Sequence, residues 1–250
     1  SDTLFVLGSG SSINDISDKQ WNEIKKHDSI GFNLFLLHSF IPTYYHLEFT
    51  PEIYKYYHEI IHSKIDAVNQ IPLLINYSHV DSNRSLSDYF WLKNTMFTNP
   101  YYFYIDQSLV KKMIEYFHKM ENTKKINFNL HYRGSLSLMI SLGVLLGYKK
   151  IVLMGVDLNN SNYFFHDEAL YDTAIDKKVR DFHLSKIKSV DSTKHLHSTV
   201  DKKLSKKVVT IDVFIEMYKD IINKYKNTEI FIGSSKSMLS KTLEQYRFES

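Results

Sequence analysis

Cysteine is absent from the 250 residues. That excludes a disulfide framework and any thiolate metal site, and it suits a reducing cytoplasm. Net charge is small, formally +3, which gives no argument for a nucleic-acid partner. No apolar run is long enough to cross a bilayer. The longest, Leu136 to Leu146, carries two serines and reads as a buried helix. No signal-peptide pattern is read either. The chain opens on Ser1 without a methionine, as a trimmed sequence would. Two nucleotide signatures are incomplete. Ile13 stands where the third glycine of G-x-G-x-x-G belongs, and the lysine of a P-loop is missing.

What is present suits one large domain, or one domain with an inserted lid. Hydrophobic residues make up 43% of the chain, enough for a core. Aromatic residues, at 14%, are read as core in preference to a stacking surface. The chain is organised around its first strand, Thr3 to Leu7, and the turn Gly8-Ser9-Gly10-Ser11-Ser12. Strand, glycine turn and helix open a nucleotide-binding α/β unit. Gly8 and Gly10 let the backbone approach a phosphate, and Ser9, Ser11 and Ser12 add hydroxyl donors. A plain strand-to-helix turn is the competing reading.

A helix is expected over Ser17 to His27, then strands over Asp28 to Asn33 and Thr43 to Glu48. Asn33 and Glu48 fall at the carboxyl ends of parallel strands, where open α/β sheets bind ligands. The alternatives are an αL-tolerant turn residue for Asn33 and a helix N-terminal charge ahead of Pro51 for Glu48. Pro51 to Ile65 reads as a helix. Its His58 and His62 lack an H-E-x-x-H setting, so a solvated face is preferred to a metal site. Ile71 to Asn76 reads as a strand. Asp81 to Pro100 reads as irregular, with a short helix near Leu86 to Lys93. Tyr101 to Ile105 reads as a strand and Leu109 to Met120 as a helix.

The stretch Arg133-Gly134-Ser135 leads into the apolar helix, placing Arg133 and Ser135 where a helix N-terminus favours an anion. Glycine closes that helix at Gly147. Ile151 to Gly155 is the clearest buried strand, and Asp157 follows its carboxyl end. The polar stretch 161–199 lacks a clear strand and reads as a lid or excursion. It carries Tyr163, Phe164 and Phe165 and ends on His197, Ser198 and Thr199. A helix within Val208 to Tyr225 and a last strand, Thr228 to Ile232, follow. Gly233 to Ser237 then repeats the strand, glycine-serine turn and helix order, with a basic tail helix as a solvated face. The expected organisation is a core of residues 1–157 and 200–250 with 158–199 as the lid.

The assembled pattern resembles bacterial sialyltransferases of glycosyltransferase family 42, and the related bacterial Kdo transferases of capsule and O-antigen synthesis. Gly8 to Ser12 is similar to the family's opening glycine-x-glycine-x-serine loop, and Gly31-Phe32-Asn33 to its second-strand asparagine. Arg133-Gly134-Ser135, Leu146 to Ile151 and Gly155-Val156-Asp157 give the nearest likeness, and His197-Ser198 resembles the pair after the lid. Asn159 and Asn160 stand where an aromatic is expected, and the arginine loop is one residue shorter.

The resemblance implies an α/β, Rossmann-like parallel sheet flanked by helices, a GT-A variant with an inserted lid. It implies transfer of a 2-keto sugar acid, Kdo or sialic acid, from a CMP-activated donor to a hydroxyl of an oligosaccharide or glycolipid. No metal and no further cofactor is required. His197 becomes the general base of an inverting route, or Asp157 the nucleophile of a retaining one. Gly8, Ser9, Gly10, Ser11, Ser12, Asn33, Arg133, Gly134, Ser135, Tyr163 and Ser198 become donor-binding, and Glu48 acceptor-binding. The location implied is cytoplasmic, with peripheral inner-membrane association and a homo-oligomer left open. A non-catalytic CMP-binding module and an NAD-dependent enzyme are the competing readings.

Overall fold

The computed structural model describes residues 1–48, 53–76, 94–98, 101–102, 112, 115, 130–187, 197, 199–200 and 209–249. Eight parallel strands form one sheet. They are β1 (Thr3–Leu7), β2 (Asp28–Phe32), β3 (Tyr44–Glu48), β4 (Leu73–Asn76), β5 (Thr95–Thr98), β8 (Lys150–Met154), β9 (Glu229–Ile232) and β10 (Glu244–Gln245). A separate parallel pair joins β6 (Tyr101–Tyr102) to β7 (Leu130–His131). The large sheet runs in the order β10-β9-β8-β1-β2-β3-β4-β5. The chain therefore winds outward from β1 to β5, returns, and winds outward again from β8. The reversal falls between β1 and β8, and ligands of open α/β sheets bind at such a point, outside the carboxyl ends.

Helices cover both faces: α1 (Asp18–Ile24), α2 (Tyr54–Ser63), α3 (Ile65–Val68), α4 (Ser135–Leu145), α5 (Ala174–Ile187) and α6 (Ile211–Lys226). The period-two alternation of β1 sorts the core into two clusters. Leu4 and Val6 join the cluster built with α4 and α6. Phe5 and Leu7 join the one built with α1, α2 and the Phe164–Phe165 pair. Among the described residues, aromatic side chains fill much of the core: Tyr45, Tyr57, Tyr218, Phe5, Phe35, Phe164, Phe165 and Phe214 are among the largest fully buried ones.

Helix α4 is buried on all sides. Its serines are not exposed to water: Ser137 Oγ accepts the Tyr132 N–H at 2.6 Å and Ser141 Oγ accepts the Leu130 N–H at 2.9 Å. Each hydroxyl satisfies a backbone donor of the preceding segment, so a polar residue costs little in that interior.

The helix expected from Ser17 is present: after a 3-10 turn, Ser11–Asp15, α1 starts at Asp18, fixed by a capping box between Ser17 and Gln20. Three other expectations change. The part of Asp81 to Pro100 read as irregular contains edge strand β5, which pairs with β4 from Leu73↔Thr95 to Asn76↔Thr98. Stretch 161–199 contains the 14-residue helix α5. The tail is not a helix. Ser237 caps a 3-10 turn, Met238–Lys241, and β10 adds to the sheet edge. Tyr246 and Phe248 then pack their rings 5.4 and 6.2 Å from that of Phe5. The helices read near Leu86 to Lys93 and over most of Leu109 to Met120 lie outside the described residues. Among the described residues, no helix is long and apolar enough to cross a membrane.

Candidate active site at the carboxyl ends of the central strands

A cavity of about 380 Å³ opens at the carboxyl ends of β8, β1, β2 and β3. From the first loop it is lined by Ser9 and Gly10, and from the ends of β2 and β3 by Asn33 and Glu48. Arg133, Gly134 and Ser135 line it at the start of α4, and Asp157, Tyr163 and His197 complete the sequence-derived set. Gly8, Ser11 and Ser12 stand behind the wall. Ser198 lies outside the described residues.

The first loop is held by the end of β8. Gly8 N–H donates to the Met154 carbonyl at 2.8 Å and Gly10 N–H to the Gly155 carbonyl at 2.7 Å. A Cβ on Gly8 would lie 2.6 Å from the Gly155 carbonyl oxygen, and one on Gly10 would lie 2.6 Å from Asp157 Oδ2. Both glycines thus serve the close approach of two strand ends, before any phosphate is considered. Ser11 and Ser12 do not present hydroxyls to the cavity. Ser12 Oγ donates to Asp157 Oδ1 at 2.5 Å, and the Ser12 N–H and Ser11 Oγ donate to Oδ2 at 3.0 and 3.3 Å. Asp157 is buried, and these three donors explain how a carboxylate is kept there.

Asn33 is both a turn residue and a wall residue. Its φ of 52° is the left-handed conformation asparagine tolerates. Its side chain ties three elements together: Nδ2 donates to Ser135 Oγ at 2.7 Å, and Oδ1 accepts the Glu48 N–H at 3.1 Å. Arg133 and Leu158 also sit at positive φ, 52° and 62°. Neither has asparagine's tolerance, so strain gathers around this cavity. The start of α4 faces it without a side-chain cap, Gly134 standing at φ 123° as the N-cap. Its first N–H groups and dipole suit this helix start to an anion.

Glu48 is not the exposed helix charge of the alternative reading. Its Oε1 lies 2.9 Å from His131 Nε2, and both side chains are largely buried. Burial pushes the carboxyl up. The His131 hydrogen bond, the His46 and His131 charges and the Ser135 hydrogen bond outweigh that and hold it at about 2.

On the opposite wall the segment after Asp157 is stitched to the first loop. Tyr163 forms an antiparallel bridge with Gly10, and Phe164 N–H donates to the Ser9 carbonyl at 3.0 Å. His197 Nδ1 is 2.8 Å from Thr199 Oγ1, and Nε2 is 3.4 Å from the Tyr163 hydroxyl. Burial lowers the His197 pKa and raises that of Tyr163 to about 12, so both are neutral near pH 7.

The sequence reading did not single out His131, His183, Tyr57 or Thr199. His183 lies within α5, in the stretch read as an excursion, whereas Tyr57 lies in α2, where the helix is expected but its cavity-facing side is not. Nothing in the sequence marks His131, because its partner Glu48 is 83 positions away. His58 and His62 meet each other, Nε2 to Nε2 at 3.2 Å, on an exposed face. Among the described residues no group of three or more His, Asp or Glu is placed to hold a metal ion.

Three other histidines are held at about 4 from 6.5. Burial is the main cause for each, joined by Lys64 at His38, Arg180 at His166, and His166, His197 and Lys186 at His183. A depressed histidine pKa means the unfolded chain binds more protons between these values. Stability is then complete above about pH 6.5 and lost as pH falls toward 4. Glu48 gives up its own contribution lower, as pH falls from 4.5 toward 2. Thermal melts stepped from about pH 7.5 to 4 should show a progressive fall in Tm. A flat profile would rule out buried neutral imidazoles.

A parallel sheet with its cavity at the β1/β8 reversal defines a Rossmann-like, GT-A-type fold. The chain shares the fold of solved sialyltransferases. The monofunctional α-2,3-sialyltransferase Cst-I from Campylobacter jejuni superposes with a TM-score of 0.50 at 16% identity, over 98% of this chain and 80% of that one. The sialyltransferase CstII from the same organism, solved with the substrate analogue CMP-3FNeuAc, gives 0.51 at 13% identity, over 97% and 85%. A variant of Cst-II in complex with CMP gives 0.53 at 13% identity, over 97% and 85%. No protein-family model and no curated protein sequence matches the chain.

Proposed function

We propose that this chain is a glycosyltransferase that moves a 2-keto sugar acid, sialic acid or Kdo, from its CMP-activated donor to a hydroxyl of a bacterial surface glycan. The observation that carries the proposal is the His197–Tyr163 pair at 3.4 Å in one cavity with Arg133 and the uncapped start of α4. Proteins of the same fold crystallised with CMP or with the substrate analogue CMP-3FNeuAc add support.

In the proposed reaction the acceptor oxygen attacks C2 of the sugar. The C2–O bond to phosphate breaks, and CMP leaves with the bonding pair. His197 Nε2 takes the acceptor's proton, which its neutral form permits. The Tyr163 hydroxyl donates to the departing phosphate. Arg133 and Ser135, at the helix start, meet the donor's carboxylate. This is the inverting route. It is favoured over attack by Asp157 because three donors already occupy that carboxylate. We assign Glu48 to sugar hydroxyls of the acceptor, and 158–199 to a cover that closes the site. No metal step is required.

CMP at about 100 times its Kd should stabilise the fold by about 2.7 kcal/mol, or roughly 5–10 °C in Tm. NAD should give no shift. A shift with NAD alone would sink the proposal. Turnover is then read as CMP release from CMP-Neu5Ac and from CMP-Kdo, each with and without an oligosaccharide acceptor. Release from one donor identifies the sugar. Release from neither, despite CMP binding, would reduce the chain to a CMP-binding module.

A further inference from the structure

The lid stretch carries a second histidine against the cavity, and its protonated nitrogen can be assigned. His166 closes the 3-10 turn Phe164–His166, and its Nδ1 accepts the Tyr163 backbone N–H at 3.4 Å. A backbone N–H only donates, so Nδ1 of His166 carries a lone pair. In a neutral imidazole the proton then sits on Nε2. That Nε2 lies 3.2 Å from Nδ1 of His183. The N–H of His166 therefore donates to His183 Nδ1, and His183 in turn carries its proton on Nε2.

The His183 ring lines the cavity and stands 4.2 Å from the Tyr163 ring, edge to face. No described residue accepts a hydrogen bond from its Nε2. The titratable and charged groups acting on His183 are His166, His197 and Lys186, and burial holds the ring neutral at neutral pH. The result is a neutral ring with its N–H on Nε2, set against the Tyr163 ring in the wall of the cavity.

We propose that His183 is a ligand-contacting residue whose Nε2–H donates to an anionic oxygen of the nucleotide phosphate, with His166 as the positioning residue that sets its tautomer. This rests on the reading of the cavity as a CMP-sugar site. A neutral donor suits that position, because it stabilises charge building on the leaving phosphate without holding CMP as a fixed cation would.

The test compares CMP with cytidine, which lacks the phosphate, by calorimetric titration. His183→Phe keeps an aromatic ring and removes the donor. CMP affinity should fall roughly tenfold or more, while cytidine affinity changes less than about twofold. His183→Gln, which keeps an N–H near the same point, should retain most of the affinity. Equal loss for both ligands, or no loss for either, overturns the proposal.

A readout that does not depend on the variants folding is the imidazole nitrogen spectrum of the wild type. It should show His183 protonated at Nε2 alone, with that N–H proton shifting when CMP is added. His166→Phe should release the tautomer, and His166→Gln should restore it. A wild type with the proton on His183 Nδ1 overturns the assignment. A wild type that binds neither ligand overturns the CMP-sugar reading itself, and the role of His183 with it.

Discussion

His197→Ala should slow acceptor-dependent CMP release by about 10²–10⁴-fold, with CMP affinity changed only a few fold. The reason lies in how the ring is held. Nδ1 has Thr199 Oγ1 at 2.8 Å, with the Thr199 N–H a longer contact at 3.4 Å. The Thr199 N–H donates to Nδ1 in the free protein, so the base role uses the other tautomer: with the proton on Nδ1 and donated to the Thr199 hydroxyl, Nε2 carries its lone pair toward Tyr163. Desolvation lowers the pKa, so the base form is present throughout the neutral range. Thr199→Val removes the hydroxyl that accepts from Nδ1, and its loss should be smaller and mainly in kcat. A drop of less than about tenfold for His197→Ala would remove it as the proton acceptor.

Asp157→Ala should lower stability by about 3 kcal/mol, roughly 6–12 °C in Tm, and abolish donor binding. Removing the carboxylate leaves the buried Ser12 N–H and hydroxyl without their acceptor. It also frees the loop that supplies Ser9 and Gly10 to the cavity. Asp157→Asn is the sharper variant, because an amide offers only one oxygen where two are used. The stability loss alone does not decide between anchor and nucleophile. Mass spectrometry of the wild type mixed with donor does: no sugar adduct on Asp157 is expected, and the product anomer should be inverted. An adduct on Asp157 would establish the retaining route and leave His197 a phosphate ligand.

The central strands were legible because they are continuous apolar runs bounded by turn residues, as buried parallel strands must be. Thr3–Leu7 is buried at every position, and Lys150–Met154 at all but the first. Edge strand β5 gave no such signal, since its Met96 is exposed and its register depends on β4. Helix α5 did leave a mark that the polar composition hid. Thr173 and Asp176 form a reciprocal cap, with the two side chains 2.5 Å apart, ahead of Val179 and Phe182 at helical spacing.

Within the site, residues at strand ends were readable from position alone: Asn33 and Glu48 both reach the cavity. The direction of their side chains was not. Ser11 and Ser12 point at Asp157, and Glu48 points at His131, because each partner arrives from a distant part of the chain.

The clamp between the first loop and Asp157 also constrains the order of folding. β1 can pair with β2 early, since Leu4 faces Asp28, but its other neighbour begins only at Lys150. The Ser12–Asp157 contact spans 145 positions. During synthesis the first strand therefore keeps one edge open until more than half of the chain has emerged, and closing so long a loop is entropically slow. An unpaired central strand is a template for wrong partners. A nascent chain stalled before Lys150 should aggregate or recruit chaperones, whereas one extended past β8 should become protease-resistant in a single step.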